Sequence, residues 1–167
     1  MGYNVMKKII VIGCPGSGKS TFSRALNKKI GIPLYYLDMM YWNADKTIVE
    51  KGIFRSRLAS VLEKEKWIID GNYGSTMEQR IIECDTVFML DYPTEVCLEG
   101  IRNRRGKKRD DMPWVETEED YEFNEFIKGF NEEQRPRILD LLKKYHDKNI
   151  IVFKSREDAD KFLSEEI

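Results

Sequence analysis

The chain predicts a three-layer α/β fold built on a parallel sheet, and three observations carry that reading. Short apolar runs alternate with stretches of helical spacing, a pattern that requires right-handed crossovers and a sheet covered on both faces. The first run, Lys8 to Ile12, is dominated by β-branched residues, as suits a strand buried on both sides. Directly after it, Gly13-Cys14-Pro15-Gly16-Ser17-Gly18-Lys19-Ser20 fills every fixed position of G-x-x-x-x-G-K-[ST] between that strand and a helix.

The remaining elements follow in order. A helix is predicted from Lys19 to about Ile30, with Phe22, Ala25, Leu26 and Ile30 on one stripe and Gly31 and Pro33 ending it. A second strand covers Pro33 to Leu37. From Asp38 to about Lys51 no period is clear, and then Phe54, Leu58, Val61 and Leu62 mark an amphipathic helix, so residues 38–66 read as an inserted acceptor-side segment. The third strand, Trp67 to Ile69, ends at Asp70-Gly71, and the fourth, Thr86 to Leu90, ends at Asp91 before Pro93.

A helix from Thr94 to about Arg105 runs into a cationic, Pro-containing stretch, and residues of about 102–118 read as a lid. Helical spacing resumes at Phe123, Phe126, Ile127 and Phe130. Pro136 is expected to break or kink it before Ile138, Leu141, Leu142 and Tyr145 take it up again. Asn149 to Phe153 is the fifth strand, and Ser155 with Asp158 opens a last helix whose Ala159, Phe162 and Leu163 face inward.

At 167 residues the chain suits one domain, and 41% hydrophobic with 34% charged residues excludes disordered and collagen-like classes. A net charge of -1 supplies no overall positive field, so direct DNA binding is not expected. The three cysteines, Cys14, Cys84 and Cys97, lack the spacing of a zinc site or disulfide framework, which points to a reducing, cytoplasmic compartment. Met1 to Ile12 lacks a cleavage-site pattern and reads as the lead into the first strand. No apolar run is long enough for a membrane span.

The glycine-rich loop points to phosphate chemistry. Its glycines allow close backbone approach, so successive N–H groups and the positive end of the following helix can face phosphate oxygens. Gly13 to Ser20, with Thr21 next in line, are therefore the expected ATP-binding residues. Lys19 is expected to reach the β and γ phosphates and Ser20 to place its hydroxyl on Mg²⁺. Asp38 and Asp70 stand at carboxyl ends of predicted strands, where ligands of open α/β sheets collect. Asp70 is the candidate for holding Mg²⁺ through water and Asp38 for taking a proton from an attacking hydroxyl; the two roles are exchangeable at this level.

Arg102, Arg104, Arg105, Lys107, Lys108 and Arg109 form the densest basic run in the chain. Arg102 and Arg105 are the expected lid arginines for stabilising charge on a migrating phosphoryl group, with Arg135 and Arg137 as weaker candidates. Tyr41 and Trp42 suit either a platform for a ring-shaped acceptor or core packing. His146, late on a charged helix face, suits a surface position.

These elements together resemble the adenylate-kinase-related DNA topology modulation protein family. The resemblance is carried by Gly13 to Ser20, Leu37-Asp38 with Tyr41-Trp42, Ile68-Ile69-Asp70-Gly71-Asn72-Tyr73, Leu90-Asp91-Tyr92-Pro93, the arginine-rich stretch, Arg135-Pro136-Arg137 and Lys154-Ser155-Arg156. It implies a P-loop kinase fold of adenylate and shikimate kinase type, with strand order 2-3-1-4-5 and a flexible lid. Adenylate kinases carry D-G-F-P-R after the third strand, where this chain has Asp70-Gly71-Asn72-Tyr73-Gly74 and its nearest arginine is Arg80. Lys108-Arg109-Asp110-Asp111 is similar to their R-K-D-D stretch with the basic residues exchanged. No N-K-x-D element suits guanine, so ATP is the better donor.

Two functions are therefore expected. The first is transfer of the ATP γ-phosphoryl group to a nucleotide or small hydroxyl compound. The alternative is an ATP-dependent regulatory module that affects DNA topology directly or through a partner, with little turnover. The identity of the acceptor and the oligomeric state are not legible in the residues.

Overall fold

The computed structural model describes residues 6–165; the predicted lead-in from Met1 to Val5 lies outside them. Ile9 to Ile12 are wholly buried, so the strand they form, β1 (Lys8–Gly13), can only sit in the middle of a covered sheet. It does. The five strands run in the order β2-β3-β1-β4-β5, all parallel, with β2 (Leu34–Tyr36), β3 (Trp67–Asp70), β4 (Thr86–Leu90) and β5 (Asn149–Phe153). Every residue of β3 and β4 is buried, while the edge strands β2 and β5 are mostly half-exposed.

Register sets the strand ends side by side. Val11 pairs with Asp70 and Gly13 with Leu90, so the end of β1 is flanked by the ends of its two neighbours. The strand order reverses there, which opens a crevice at the carboxyl edge.

The helices are α1 (Lys19–Ile30), α2 (Leu37–Tyr41), α3 (Lys51–Leu62), α4 (Gly74–Glu83), α5 (Thr94–Arg104), α6 (Tyr121–Glu133), α7 (Arg135–Lys144) and α8 (Arg156–Ser164). α1 packs against α8 on one face, and right-handed crossovers send α3, α4 and the α5–α7 run to the other. Gly31 closes α1 in the left-handed conformation, its N–H bonded to the Asn27 carbonyl. Asp120 caps α6 through the Phe123 N–H, and Ser155 caps α8 through the Asp158 N–H. Pro136 sits in the first turn of α7, where a missing N–H costs nothing, so the helical run is broken into two helices.

Three elements depart from the sequence expectation. The second strand is shorter than Pro33 to Leu37, because Leu37, wholly buried against Gly71, already belongs to α2. The stretch without a period after Asp38 is ordered by that helix and by a tight hairpin in which Trp42 and Ile48 bridge and the Asn43 N–H reaches the Thr47 carbonyl. Helix α4 has no counterpart in the sequence reading. Its buried face mixes Met77 and Ile81 with Thr76 and Arg80, which conceals the apolar period.

Candidate nucleotide and acceptor site

The phosphate loop curls from β1 into α1, with Gly16 at φ 85° and Gly18 at φ 99°, both left-handed. Gly16 is also forced by contact: a Cβ there would strike the Cys97 carbonyl of α5, and one on Gly100 would strike the Gly16 carbonyl. α5 thus lies directly on the loop, and the Arg156 Nη2 adds a 3.3 Å hydrogen bond to the same Gly16 carbonyl. Cys14 and Cys97 meet beneath it, both buried. The hydrogen bond between the two thiols raises the pKa of Cys14 and lowers that of Cys97.

At the start of α1, the Lys19 Nζ rests 3.4 Å from the Cys14 carbonyl, and the Ser20 hydroxyl donates to Asp70 Oδ2 at 2.7 Å. That pair follows from register, since Val11 beside Asp70 sets the end of β3 next to the helix that β1 feeds. Asp70 is 4% exposed, and burial pushes its carboxyl up to about 6 against the opposing pull of Lys19 and Ser20. Asp38 lies in the first turn of α2 rather than at a strand end. Its carboxyl is likewise raised by desolvation, although the Tyr73 hydroxyl donates to its Oδ1 and opposes the shift.

The turn after β3 is fastened by two side chains. Asn72 pairs its amide with both backbone groups of Gly13. Arg80, wholly buried, donates to the carbonyls of Gly71, Asn72 and Tyr73 and to the Thr76 hydroxyl. It makes no ion pair with a carboxylate among the described residues, and burial lowers its pKa to about 9.

A cleft of about 2300 Å³ opens above the carboxyl edge. Of the expected residues, Gly13, Cys14 and Ser17 stay out of its lining, and Pro15, Gly16, Gly18, Lys19, Ser20, Thr21, Asp38, Asp70 and Arg105 line it. Arg102 does not. It is exposed on α5 and turned from the cleft, while Arg104, Arg105 and Arg109 face it. Arg104 and Arg109 share Glu116 at 3.2 and 3.4 Å, which folds residues 104–116 back on themselves with the Gly106 N–H on the Glu116 carbonyl. Arg137 lines the cleft, whereas Arg135 donates to Asp91 through Nε and Nη2 at 2.8 and 2.9 Å.

Trp42 lines the cleft, but Tyr41 packs on Phe54 and Tyr73, so only one of the two aromatic candidates is available to a ligand. His146 is exposed. Asn72, Tyr73, Gly100, Asp111, Trp114 and Arg156 join the site without having stood out in the sequence as site residues. The first two lie inside the D-G-N-Y motif, Asp111 in Lys108-Arg109-Asp110-Asp111 and Arg156 in Lys154-Ser155-Arg156, while Gly100 and Trp114 act through contacts that no local pattern records.

Loop, sheet order and cleft together define a P-loop α/β protein with the kinase-type fold. No family model and no curated protein matches the chain. Among solved structures it is similar to the shikimate kinase of Bacteroides thetaiotaomicron, at 18% identity over 95% of both chains and a TM-score of 0.55. It is also similar to the shikimate kinase of Acinetobacter baumannii in complex with shikimate, at 17% identity over 96% of this chain and 93% of that one, TM-score 0.62. At these identities the likeness is one of fold. No helix among the described residues is long and apolar enough to cross a membrane.

Proposed function

We propose that the protein is an ATP-dependent phosphotransferase acting on a nucleotide or small hydroxyl compound. The observation that carries this is the Ser20–Asp70 pair beside the phosphate loop, with Asp38 in the same cleft. The loop N–H groups and Lys19 bind the phosphates of ATP. A hydroxyl and a buried carboxylate in contact are hard oxygen donors that fit Mg²⁺, and no cluster of three or more metal-ligating side chains occurs among the described residues. That donor set suits an ion that keeps most of its waters and phosphate oxygens. When bound, the ion neutralises charge on the transferring phosphoryl group.

In the transfer, the acceptor oxygen forms a bond to the γ-phosphorus as the bond to the bridging oxygen of ADP breaks. The hydroxyl proton passes to Asp38, whose raised pKa makes it a more competent base than an exposed aspartate. Arg105 and its neighbours on residues 102–118, read as a lid, stabilise the spread charge and exclude water. Residues 38–66 supply the acceptor side. The finer kinship with DNA topology modulation proteins, and the regulatory alternative that comes with it, draw their support from the motif resemblance alone.

Incubation with ATP, Mg²⁺ and a panel of hydroxyl acceptors, with Lys19→Ala as control, tests the reading. Acceptor-dependent ADP well above the control is expected, and none for any acceptor would count against it.

A further inference from the structure

Asp111 is a carboxylate removed from water without a donor to answer it. It is 6% exposed, its Oδ1 makes no hydrogen bond among the described residues, and Arg109 Nη1 stands 3.8 Å from its other oxygen. That separation exceeds a hydrogen bond, and Arg109 is in any case shared with Glu116. Buried polar oxygens ordinarily find a donor, so an orphan on the wall of a cleft marks a place where a ligand supplies one. The charge of Asp111 acts on both Asp38 and Asp70, which sets it on the acceptor side of the phosphate loop.

The surroundings narrow the ligand. Tyr36, Trp42, Tyr73 and Trp114 line the same cleft, and Trp42 meets Trp114 edge to face at 5.4 Å. Aromatic faces favour ring C–H surfaces and cations. Three arginines of the surrounding elements already have partners, and Lys46, which also lines the cleft, stands 6.0 Å from the Trp114 ring. Arg80 is spent on three carbonyls, Arg57 Nη1 on the Met40 carbonyl at 2.9 Å, and Arg24 on Tyr36 and Thr21.

We propose that Asp111 is an acceptor-binding residue, and that the acceptor is an uncharged or cationic molecule. It presents a second donor, amine or hydroxyl, to the Asp111 carboxylate while its reacting hydroxyl faces Asp38. An acceptor carrying its own carboxylate would set a further like charge among Asp38, Asp70 and Asp111, whose charges already oppose one another's ionisation. This rests on the phosphotransferase reading above, and it separates the chain from its structural neighbours in the kind of acceptor it takes.

Three probe sets test it on the full chain with ADP present: amino alcohols (ethanolamine, glucosamine), neutral polyols and nucleosides (glucose, adenosine), and hydroxy acids (shikimate, gluconate). Heat stability is read with each probe, beside ATP turnover. A stabilising shift is expected from one of the first two sets and is lost in Asp111→Asn, while the shift caused by ADP alone, read in the same samples, shows the variant to be folded. For any acceptor turned over, KM rises about tenfold or more in that variant. Which set responds identifies the donor as ammonium or hydroxyl. The proposal is overturned if only hydroxy acids stabilise, if no probe of the first two sets does, or if Asp111→Asn binds as the parent does. Binding without ADP release in any set would instead strike the phosphotransferase reading and leave the Asp111 site standing.

Discussion

Asn72 grips Gly13 with both ends of its amide: the Gly13 N–H donates to Oδ1 at 3.1 Å, and Nδ2 donates to the Gly13 carbonyl at 2.6 Å. The first glycine of the phosphate loop is thereby tied to the turn after β3. Asn72→Ala removes both bonds and is expected to cost about 1–3 kcal/mol in urea unfolding. It also loosens the loop, so ATP affinity measured by titration calorimetry falls several-fold. Unchanged affinity would show that the loop holds its shape without this tie.

Gly100 and Gly16 allow α5 to touch the loop. Gly100→Ala places a Cβ against the Gly16 carbonyl, and backbone on both sides leaves little room to yield. A loss of about 1–3 kcal/mol is expected, with weakened ATP binding. A helix substitution of glycine by alanine would otherwise stabilise, so even the sign of the measured change is decisive.

Asp70 should trade stability for function. Its carboxyl is raised from 3.8 to about 6, and a folded value above the unfolded one penalises the folded state fully above about pH 6, the penalty fading as the pH falls towards 4. In the metal-free chain Asp70→Asn is therefore expected to raise stability by about 1–3 kcal/mol at pH 8 and by little at pH 4. Calorimetry in chelator reads this. The same variant loses Mg²⁺-dependent turnover, and a stability gain that did not vary with pH would refute the assignment.

Asp91 behaves in the opposite sense. The Arg135 guanidinium and the Lys154 ammonium hold its carboxyl below the usual range, so its contribution is present above the ordinary aspartate value and is lost as the pH falls through the lowered one. Asp91→Asn is expected to destabilise by about 1–2 kcal/mol at pH 7 and to flatten the acid limb of the stability profile. Unfolding midpoints at pH 7 and pH 3 give the comparison.

Arg105 lines the cleft and Arg102 does not. Arg105→Ala is expected to lower kcat on the order of a hundredfold, whereas Arg102→Ala leaves it within about twofold. Equal losses in both variants would place the two side chains on the same task.

The range over which each signal acts decides how much of the fold and site was legible. Strand positions, the break at Pro136 and the cap at Ser155 are written locally, in β-branched runs, a missing N–H and a side chain that reaches three residues ahead. Helix α4 was not legible, because Thr76 and Arg80 occupy positions where apolar residues would have displayed the period. Arg80 is buried for the sake of three carbonyls in the preceding turn, a need that exists only once that turn has formed. Tyr41 and Trp42 are neighbours in the chain, yet one joins the core and the other the cleft, because α2 ends between them.

The amino-acid sequence by itself determined the phosphate loop and the α/β character, since eight consecutive residues and the hydrophobic periods around them are sufficient to specify backbone that phosphate can approach. Only the tertiary structure decided which side chains meet that loop. Parallel register brought Asp70 to Ser20, the turn after β3 brought Asn72 to Gly13, and the fold of residues 104–116 turned Arg105 and Asp111 inward while leaving Arg102 in solvent. Those meetings join residues dozens of positions apart, and periodicity, which reports only on neighbours within a few turns, contains no information about them.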